Sequence, residues 1–204
     1  LPPTPAQPYS HVSVYAHRGA SALLPEHTLA AYAQAIGDGA DYIEPDLVMT
    51  RDGVMVARHE NEIGGTTDVA ARPEFASRKT RKVIDGQTID GWFTEDFTLA
   101  ELKTLRARER LPELRGTAFD GQFRIVTLDE IIEFLVQQAR RSGRGTGLAP
   151  EIKHGSYFRS IGLPMEERLI DTLRGNAYTN VAPILVQSFE TANLRQLRAR
   201  IGSK

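Results

Sequence analysis

The sequence has no cysteine and only one tryptophan among its 204 residues. Without cysteine, disulfides, thiolate metal sites and a cysteine nucleophile are excluded, while the cellular compartment stays open. No apolar run approaches the roughly 20 residues that a membrane-spanning helix needs. Neither sign of charge dominates, since 25 Lys and Arg residues balance 26 Asp and Glu residues. We therefore expect no nucleic-acid partner and no stable membrane insertion.

The length suits one large domain or two small ones, and a hydrophobic content of 41% can supply a core. Residues 1–10 are rich in proline. They are predicted to form a linker, or the N-terminus that is left after a signal peptide has been removed. Residues 11–204 are then predicted to form the folded domain, and nothing in the sequence sets its oligomeric state.

Strand and helix signals alternate along much of the chain. A strand is predicted at 12–16, a helix from Pro25 to the Gly-Asp-Gly stop at 37–39, and a second strand at 41–48. This order predicts a βαβ unit with parallel strands. Further strands are predicted at 123–126, 148–153 and 183–188, and further helices at 128–136, 164–174 and 190–200.

The stretch from 41 to 59 carries the strongest chemical signal. Glu44 and Asp46 lie two positions apart on a predicted strand, so both side chains project from one face. Two carboxylates held this close repel each other, and one pKa would rise sharply unless a cation lies between them. The Asp-Gly pair at 52–53 predicts a hairpin turn, and the returning strand ends at His59.

Residues 60–123 interrupt this alternation of strands and helices. Residues 60–97 are rich in Thr, Arg, Gly and Asp and show no sustained period. Thr98 to Glu101 then match a capping box, which predicts a short helix with Leu99, Leu102 and Leu105 on one face. A structureless loop of that length is unusual inside a compact domain. We therefore predict an insertion at about 60–123 that has its own fold or carries function.

Polar side chains follow the predicted strands at their carboxyl ends, where parallel α/β sheets bind ligands. These residues are His17, Arg18, Glu44, Asp46, His59, Glu151, Lys153, Gln187 and Ser188. Three carboxylates, two histidines, an arginine and a lysine at one end of a sheet favour a metal-bound phosphate ester as the ligand.

The carboxylates suggest the kind of metal. Glu44, Asp46 and Glu151 offer hard oxygen ligands, which suit one Ca²⁺ or Mg²⁺ ion better than a structural zinc ion. Such an ion would neutralise the carboxylates and bind a phosphoryl oxygen.

The cationic and titratable side chains complete the predicted site. Arg18 and Lys153 can take the remaining phosphate charge, Arg18 through its planar guanidinium. His17 and His59 have the intrinsic pKa of a general acid and base. One histidine would remove a proton from the nucleophile, and the other would protonate the leaving alkoxide.

Three other polar residues near these motifs are given ordinary structural roles. Glu26 and His27 are expected at the N-terminus of the first helix, where an acid complements the macrodipole. His154 is expected to be a surface residue.

Several motifs together resemble those of the glycerophosphodiester phosphodiesterase family. They are His17-Arg18-Gly19-Ala20, Pro25-Glu26-His27-Thr28, Glu44-Pro45-Asp46-Leu47, Thr50-x-Asp52-Gly53 followed by His59, Glu151-Ile152-Lys153 and Gln187-Ser188-Phe189. The match is close over 12–59 and continues as spaced motifs over 124–189. His27 stands where the family commonly has Asn, and we expect little effect from this departure.

The resemblance implies a TIM-type (β/α)8 barrel and metal-dependent hydrolysis of glycerophosphodiesters to an alcohol and sn-glycerol 3-phosphate. It assigns the metal to Glu44, Asp46 and Glu151, acid and base catalysis to His17 and His59, and phosphate binding to Arg18 and Lys153. Gln187 and Phe189 become candidate residues of the substrate pocket. The insertion resembles that of the family's periplasmic-type members, so we expect a periplasmic or secreted protein.

The length departs from the resemblance. A (β/α)8 barrel usually takes about 250 residues. Without the insertion, the sequence has room for about five βα units. We therefore expect an incomplete barrel with unpaired strand edges, and a sequence that is part of a longer enzyme.

Two other functions share this set of residues. One is a barrel phosphodiesterase that cleaves a phospholipid, against which the lack of a membrane-inserting loop counts. The other is a non-catalytic module that binds phosphate or metal, against which the pair of histidines counts. For an enzyme, two routes stay open, since either water or a glycerol hydroxyl could attack phosphorus first.

Overall fold

The structure is a computed structural model that describes residues 12–201. The predicted linker at 1–10 lies outside the described residues. The strands are β1 (Tyr15–His17), β2 (Tyr42–Glu44), β3 (Asp46–Met49), β4 (Met55–Ala57), β5 (Thr80–Ile84), β6 (Gln87–Gly91), β7 (Gly147–Leu148), β8 (Glu151–Ile152) and β9 (Gln187–Ser188). The helices are α1 (Leu29–Gly37), α2 (Leu99–Leu102), α3 (Pro112–Arg115), α4 (Leu128–Ser142), α5 (Gly155–Ser160), α6 (Met165–Arg174) and α7 (Thr191–Ile201).

The parallel strands form an open, barrel-like sheet. Strand order is β1-β2-β7 in one ladder and β4-β3-β8-β9 in the next, with only β4 antiparallel. Pro45 separates β2 from β3, and Ala149-Pro150 separates β7 from β8, because proline cannot donate to the ladder. Strands β2 and β3 together therefore occupy one position of the sheet, and β7 and β8 together occupy the next. Residues 12–201 therefore supply four neighbouring parallel positions of a partly incomplete TIM-type barrel.

The segment at 123–126 was predicted as a parallel strand, and this prediction is wrong. Ala57 N donates to Val126 O over 2.9 Å, and Val56 forms an isolated antiparallel bridge with Thr127. The segment thus lies beside the hairpin strand β4 and leads at once into α4. This leaves four parallel positions in the described residues, where the sequence suggested five βα units.

Helix α1 begins later than its proline signal predicted. Thr28 is the N-cap, and its hydroxyl accepts from Ala31 N over 3.1 Å. His27 cannot be a helical residue, because its φ of 57° lies in the left-handed region. Residues 25–27 therefore form a buried loop before the helix.

Helix α4 confirms the clearest helical pattern of the sequence. Thr127 and Glu130 form a capping box at its start. Gly143 ends the helix with a φ of 71°, a conformation that glycine adopts without steric cost. The apolar face of the helix packs into the core, where four of its residues are buried: Leu128, Ile131, Ile132 and Leu135. Val136 on the same face is only partly covered.

The segment at 60–123 has its own secondary structure, built from the β5–β6 hairpin, α2, α3 and three short 3-10 helices. Several of its side chains nevertheless join the main hydrophobic core. They include Ile63, Val69, Phe75, Phe97, Leu102 and Leu105. None of the helices within residues 12–201 has the length and apolar character needed to cross a membrane.

Candidate active site

A cavity of about 540 Å³ opens at the carboxyl ends of the parallel strands. Its lining consists of Tyr15, His17, Arg18, Glu44, His59, Glu151, Lys153, Gln187, Ser188 and Phe189. Strand register explains this convergence, because His17 pairs with Glu44 across β1 and β2. Asp46 pairs with Glu151, which in turn pairs with Gln187. The predicted site residues thus meet at one cavity, and Asp46 is fully buried beside it.

Three carboxylates form a compact buried cluster. One oxygen each from Glu44, Asp46 and Glu151 lies within 4.8 Å of the others. Among the described residues, Glu44 Oε1 and Asp46 Oδ1 are buried without a hydrogen-bond partner. Two buried acceptors without donors are costly unless a ligand satisfies them.

The electrostatics of this cluster fit a divalent cation. Burial and the charge of Asp46 raise the pKa of Glu44 to about 8. Burial also opposes ionisation of Asp46, but the hydrogen bond from His27 and the charge of Lys153 hold its pKa below the usual range. Lys153 Nζ lies 2.9 Å from Glu151 Oε1 and only partly compensates the negative charge. A hard divalent ion would satisfy the unpaired oxygens and relieve the repulsion.

Arg18 is placed by the sharp turn that ends β1. Its backbone N donates to Glu44 Oε2 over 2.9 Å, and its φ is 62°. Gly19 follows with a φ of 80°, where a Cβ would lie 2.8 Å from the carbonyl carbon of Ala31. The Arg18 guanidinium donates to Glu26 over 3.1 Å. Its Nε is buried without a hydrogen-bond partner in residues 12–201 and lies 3.6 Å from Asp46 Oδ2.

His17 lies at the mouth of the cavity and is exposed. No side chain in residues 12–201 forms a hydrogen bond with its imidazole ring. Partial enclosure by the cavity and the charge of Arg18 lower its pKa. The position of His17 therefore depends on β1 itself.

The ring of His59 contacts more side chains than the ring of His17 does. Its Nδ1 forms a short hydrogen bond with Glu60 Oε1, and its Nε2 lies 3.3 Å from Lys153 Nζ. Arg110 Nη2 donates to the other oxygen of Glu60 over 2.6 Å. The same guanidinium donates to both oxygens of Glu26, over 2.9 and 2.7 Å.

His27 has a different role from the one expected. It is fully buried, and its Nε2 donates to Asp46 Oδ2 over 2.9 Å. Its Nδ1 lies 2.9 Å from the hydroxyl of Tyr32, which can donate to it. Burial lowers the pKa of His27, which favours the neutral ring with one donor and one acceptor. His27 therefore orients a candidate metal ligand.

Glu26 also differs from the expected helix-terminal acid. Its side chain is 2% exposed and binds both Arg18 and Arg110. Although burial raises its pKa, the hydrogen bonds and positive charge of Arg110 lower it to about 2. His154 is partly covered, and its Nδ1 lies 2.6 Å from Asp85 in the turn of the β5–β6 hairpin.

The two candidate substrate-pocket residues differ in how firmly their side chains are held. Gln187 Nε2 donates to Ala149 O over 3.0 Å, so its amide is held by the sheet. Phe189 is 90% exposed at the rim, and Lys153 Nζ lies 5.3 Å from its ring centroid.

Sequence reasoning missed the supporting residues around His59. Glu60 had a visible signal, since an acid directly follows a candidate catalytic histidine. Arg110 had none, because it lies 50 positions from Glu60 in a segment without periodicity.

The described fold and cavity define a TIM-type α/β protein whose strand ends carry a buried carboxylate cluster beside two histidines. Residues 17–202 match the sequence model of the Glycerophosphoryl diester phosphodiesterase family. The chain belongs to this family, as its motifs predicted.

Named relatives are similar over most of this chain. A glycerophosphodiester phosphodiesterase of Arabidopsis thaliana is 38% identical over 192 residues, which are 88% of this chain and 50% of the relative. The enzyme of that name from Haemophilus influenzae is 31% identical over 92% of this chain and 52% of its own length. The chain thus spans about half the length of these relatives.

Solved structures share the fold. A phosphodiesterase of Oleispira antarctica, solved with the product sn-glycerol-3-phosphate, is 26% identical with a TM-score of 0.64. The similarity covers 92% of this chain and 62% of that structure. A Silicibacter pomeroyi structure gives a TM-score of 0.69 at 24% identity, covering 93% of this chain and 61% of its own.

Proposed function

We propose that this protein hydrolyses glycerophosphodiesters to an alcohol and sn-glycerol 3-phosphate in a metal-dependent reaction. The observation that carries the proposal is one cavity where a buried carboxylate cluster, two of whose oxygens lack a hydrogen bond, meets two histidines and two cationic side chains. Membership of the family and the product bound to the Oleispira antarctica protein support the substrate class.

The carboxylate cluster is the proposed metal site. Glu44, Asp46 and Glu151 would hold one Ca²⁺ or Mg²⁺ ion, which supplies positive charge to a phosphoryl oxygen. Both unpaired oxygens, on Glu44 and Asp46, would gain a partner. His27 would keep the Asp46 carboxylate in place through the 2.9 Å hydrogen bond.

Arg18 and Lys153 are the proposed phosphate contacts. The Arg18 side chain lines the cavity, and its guanidinium is already oriented by Glu26. Lys153 is 11% exposed and lies between Glu151 and His59, so its charge is directed toward the same space. Gln187 and Phe189 would form the outer wall of the substrate pocket.

His17 and His59 are the proposed acid and base. A new bond forms between phosphorus and the attacking oxygen, and the ester bond from phosphorus to the leaving oxygen breaks. One histidine takes the proton of the attacking hydroxyl group, and the other donates a proton to the leaving alkoxide. Water attacks directly, or the neighbouring glycerol hydroxyl attacks first and water then opens the cyclic phosphate. The periplasmic or secreted location stays a prediction.

The test is hydrolysis of glycerophosphocholine by the 204-residue chain, followed by phosphorus NMR with Ca²⁺, Mg²⁺ or EDTA. We expect glycerol 3-phosphate to appear only with a divalent cation. His17→Ala and His59→Ala should each remove this signal. A transient cyclic phosphate would select the route through the glycerol hydroxyl.

A third histidine provides the matched control. His154 does not line the cavity and has a left-handed φ of 52°, which asparagine also tolerates. His154→Asn should retain turnover. A folded chain that binds the cation yet gives no product with any metal would refute hydrolysis and favour a phosphate- or metal-binding module.

A further inference from the structure

Arg110 connects the segment at 60–123 with a candidate catalytic histidine. His59 Nδ1 must donate to Glu60, because a carboxylate can only accept. This hydrogen bond fixes one tautomer of the neutral ring and leaves Nε2 as the nitrogen that faces Lys153. The orientation of His59 therefore depends on the Glu60 carboxylate.

Glu60 does not hold this orientation alone. In residues 12–201 its carboxylate forms hydrogen bonds only with His59 and Arg110. Its side chain is 34% exposed, so without Arg110 it could rotate into solvent. Burial opposes its ionisation, yet the hydrogen bonds from His59 and Arg110 lower its pKa to about 2.

Arg110 is itself held on its other side. Its Nε and Nη2 both bind Glu26, whose side chain is 2% exposed and also accepts from Arg18. A guanidinium offers donors in a fixed plane and can therefore bridge two carboxylates, which an ammonium group does less well. The bridge transmits the fixed position of the buried Glu26 to the more exposed Glu60.

We propose that Arg110 is a positioning residue for His59, acting through Glu60, and that the segment at 60–123 thereby helps to build the catalytic site. The proposal rests on the proposed function for the catalytic role of His59. Its structural part, the control of the His59 tautomer by Arg110, stands independently.

The first experiment reads the tautomer directly. Nitrogen-15 NMR of the His59 ring, in the full chain, should show the proton on Nδ1. In Arg110→Met we expect a mixture of tautomers, whereas Arg108→Met should leave the signal unchanged. Arg108 is a matched control because it lies in the same segment and, within residues 12–201, its side chain pairs only with Asp120, over 3.2 Å. An unchanged His59 signal in Arg110→Met would overturn the proposal.

The second experiment is a double-mutant cycle on glycerophosphocholine hydrolysis. Loss of the partner that orients a ring typically costs about ten- to a hundred-fold in activity. We expect Arg110→Met and Glu60→Ala each to lower kcat by about this factor, with Arg108→Met near wild type. The double variant should be no slower than Glu60→Ala, because Arg110 acts through Glu60. Multiplicative losses would mean that Arg110 acts by another route.

Two further measurements separate a positioning role from a folding role: rescue by lysine at position 110, and kcat corrected for the folded fraction. Arg110→Lys should recover part of kcat, since one ammonium can still reach one carboxylate. A loss of kcat that disappears when the folded fraction is corrected for would mean that Arg110 only stabilises the fold. If wild type shows no turnover while the tautomer still responds to Arg110→Met, the proposed function fails and the positioning role stands.

Discussion

The two candidate catalytic histidines stand in opposite surroundings. His59 lies next to an ion-pair network that joins Glu60, Arg110 and Glu26, whereas His17 is exposed and has no side-chain hydrogen bond in residues 12–201. One ring is held by side chains that are distant in sequence, and the other by the strand that carries it. The site therefore has a braced side, formed by Glu60, Arg110 and Glu26, and an open side at His17, where we expect a ligand to enter.

The largest expected effect is the loss of activity when either histidine is replaced. Added imidazole should then restore the activity of the two variants unequally. His17→Ala and His59→Ala should each lower the rate about 100- to 10,000-fold, the usual worth of proton transfer. Added imidazole should restore part of the His17→Ala activity, because His17 stands at the exposed mouth. It should restore little in His59→Ala, where the ring lies between Glu60 and Lys153. Equal recovery would remove the distinction between the two sides.

The second prediction concerns Glu26, the buried carboxylate that binds Arg110 on the braced side. Although burial opposes ionisation, the hydrogen bonds and charge of Arg110 lower the pKa of Glu26 from its ordinary 4.5 to about 2 in the folded protein. Its ionised form therefore stabilises the fold above pH 4.5. This contribution, on the order of 3 kcal/mol, is lost as pH falls from 4.5 toward 2. Glu26→Gln should lower the free energy of unfolding by a similar amount at pH 7.

Urea unfolding at several pH values measures this difference. The gap between wild type and Glu26→Gln should narrow steadily below pH 4.5. Glu113→Gln is a suitable control, because this exposed residue has no ion pair in the described structure. A gap that does not change with pH would show that Glu26 contributes through packing alone.

The third prediction concerns the buried hydrogen bonds from Tyr32 to His27 and from His27 to the candidate metal ligand Asp46. Tyr32 is fully buried, and its hydroxyl is 2.9 Å from His27 Nδ1. Tyr32→Phe leaves that nitrogen without a donor, so the free energy of unfolding should fall by about 1 kcal/mol. The variant should also lower kcat slightly, because His27 orients the carboxylate of Asp46. Thermal unfolding and kcat, compared with Tyr178→Phe at a site far from the cavity, would check this.

The smallest effect is expected on the open side. The rings of Tyr15 and Tyr42 stack with centroids 4.4 Å apart, next to the strand position of His17. Tyr15→Leu should reduce the free energy of unfolding by about 0.5–1.5 kcal/mol, the range for such ring pairs. Tyr15→Phe keeps the stack and should behave as wild type in chemical denaturation. Equal losses in both variants would point to the hydroxyl instead of the stacking.

Residues at strand ends could be predicted because strand alternation and barrel geometry are local rules. Glu44 and Asp46 share a face by their spacing, and parallel pairing then brings Glu151 beside Asp46. The family motifs fixed the same positions by resemblance. Sequence rules therefore sufficed where each side chain is placed by its own strand.

Long-range side-chain pairing was beyond the same rules. Nothing in the sequence indicates that Arg110 lies against Glu60, because its segment has no period from which to infer direction. His27 was misassigned for a different reason, since the proline before it is a common helix-start signal. The left-handed φ of His27 turns its ring inward, which propensity does not reveal.

The most direct test concerns the proposed cation site at Glu44, Asp46 and Glu151. Calorimetric titration of the 204-residue chain with Ca²⁺ and Mg²⁺ measures it without relying on turnover. We predict saturable binding of one ion, lost in Asp46→Asn and retained in Asp52→Asn, a turn acid outside the cluster. Absence of binding by a chain that circular dichroism shows to be folded, or equal binding by Asp46→Asn, would contradict the account.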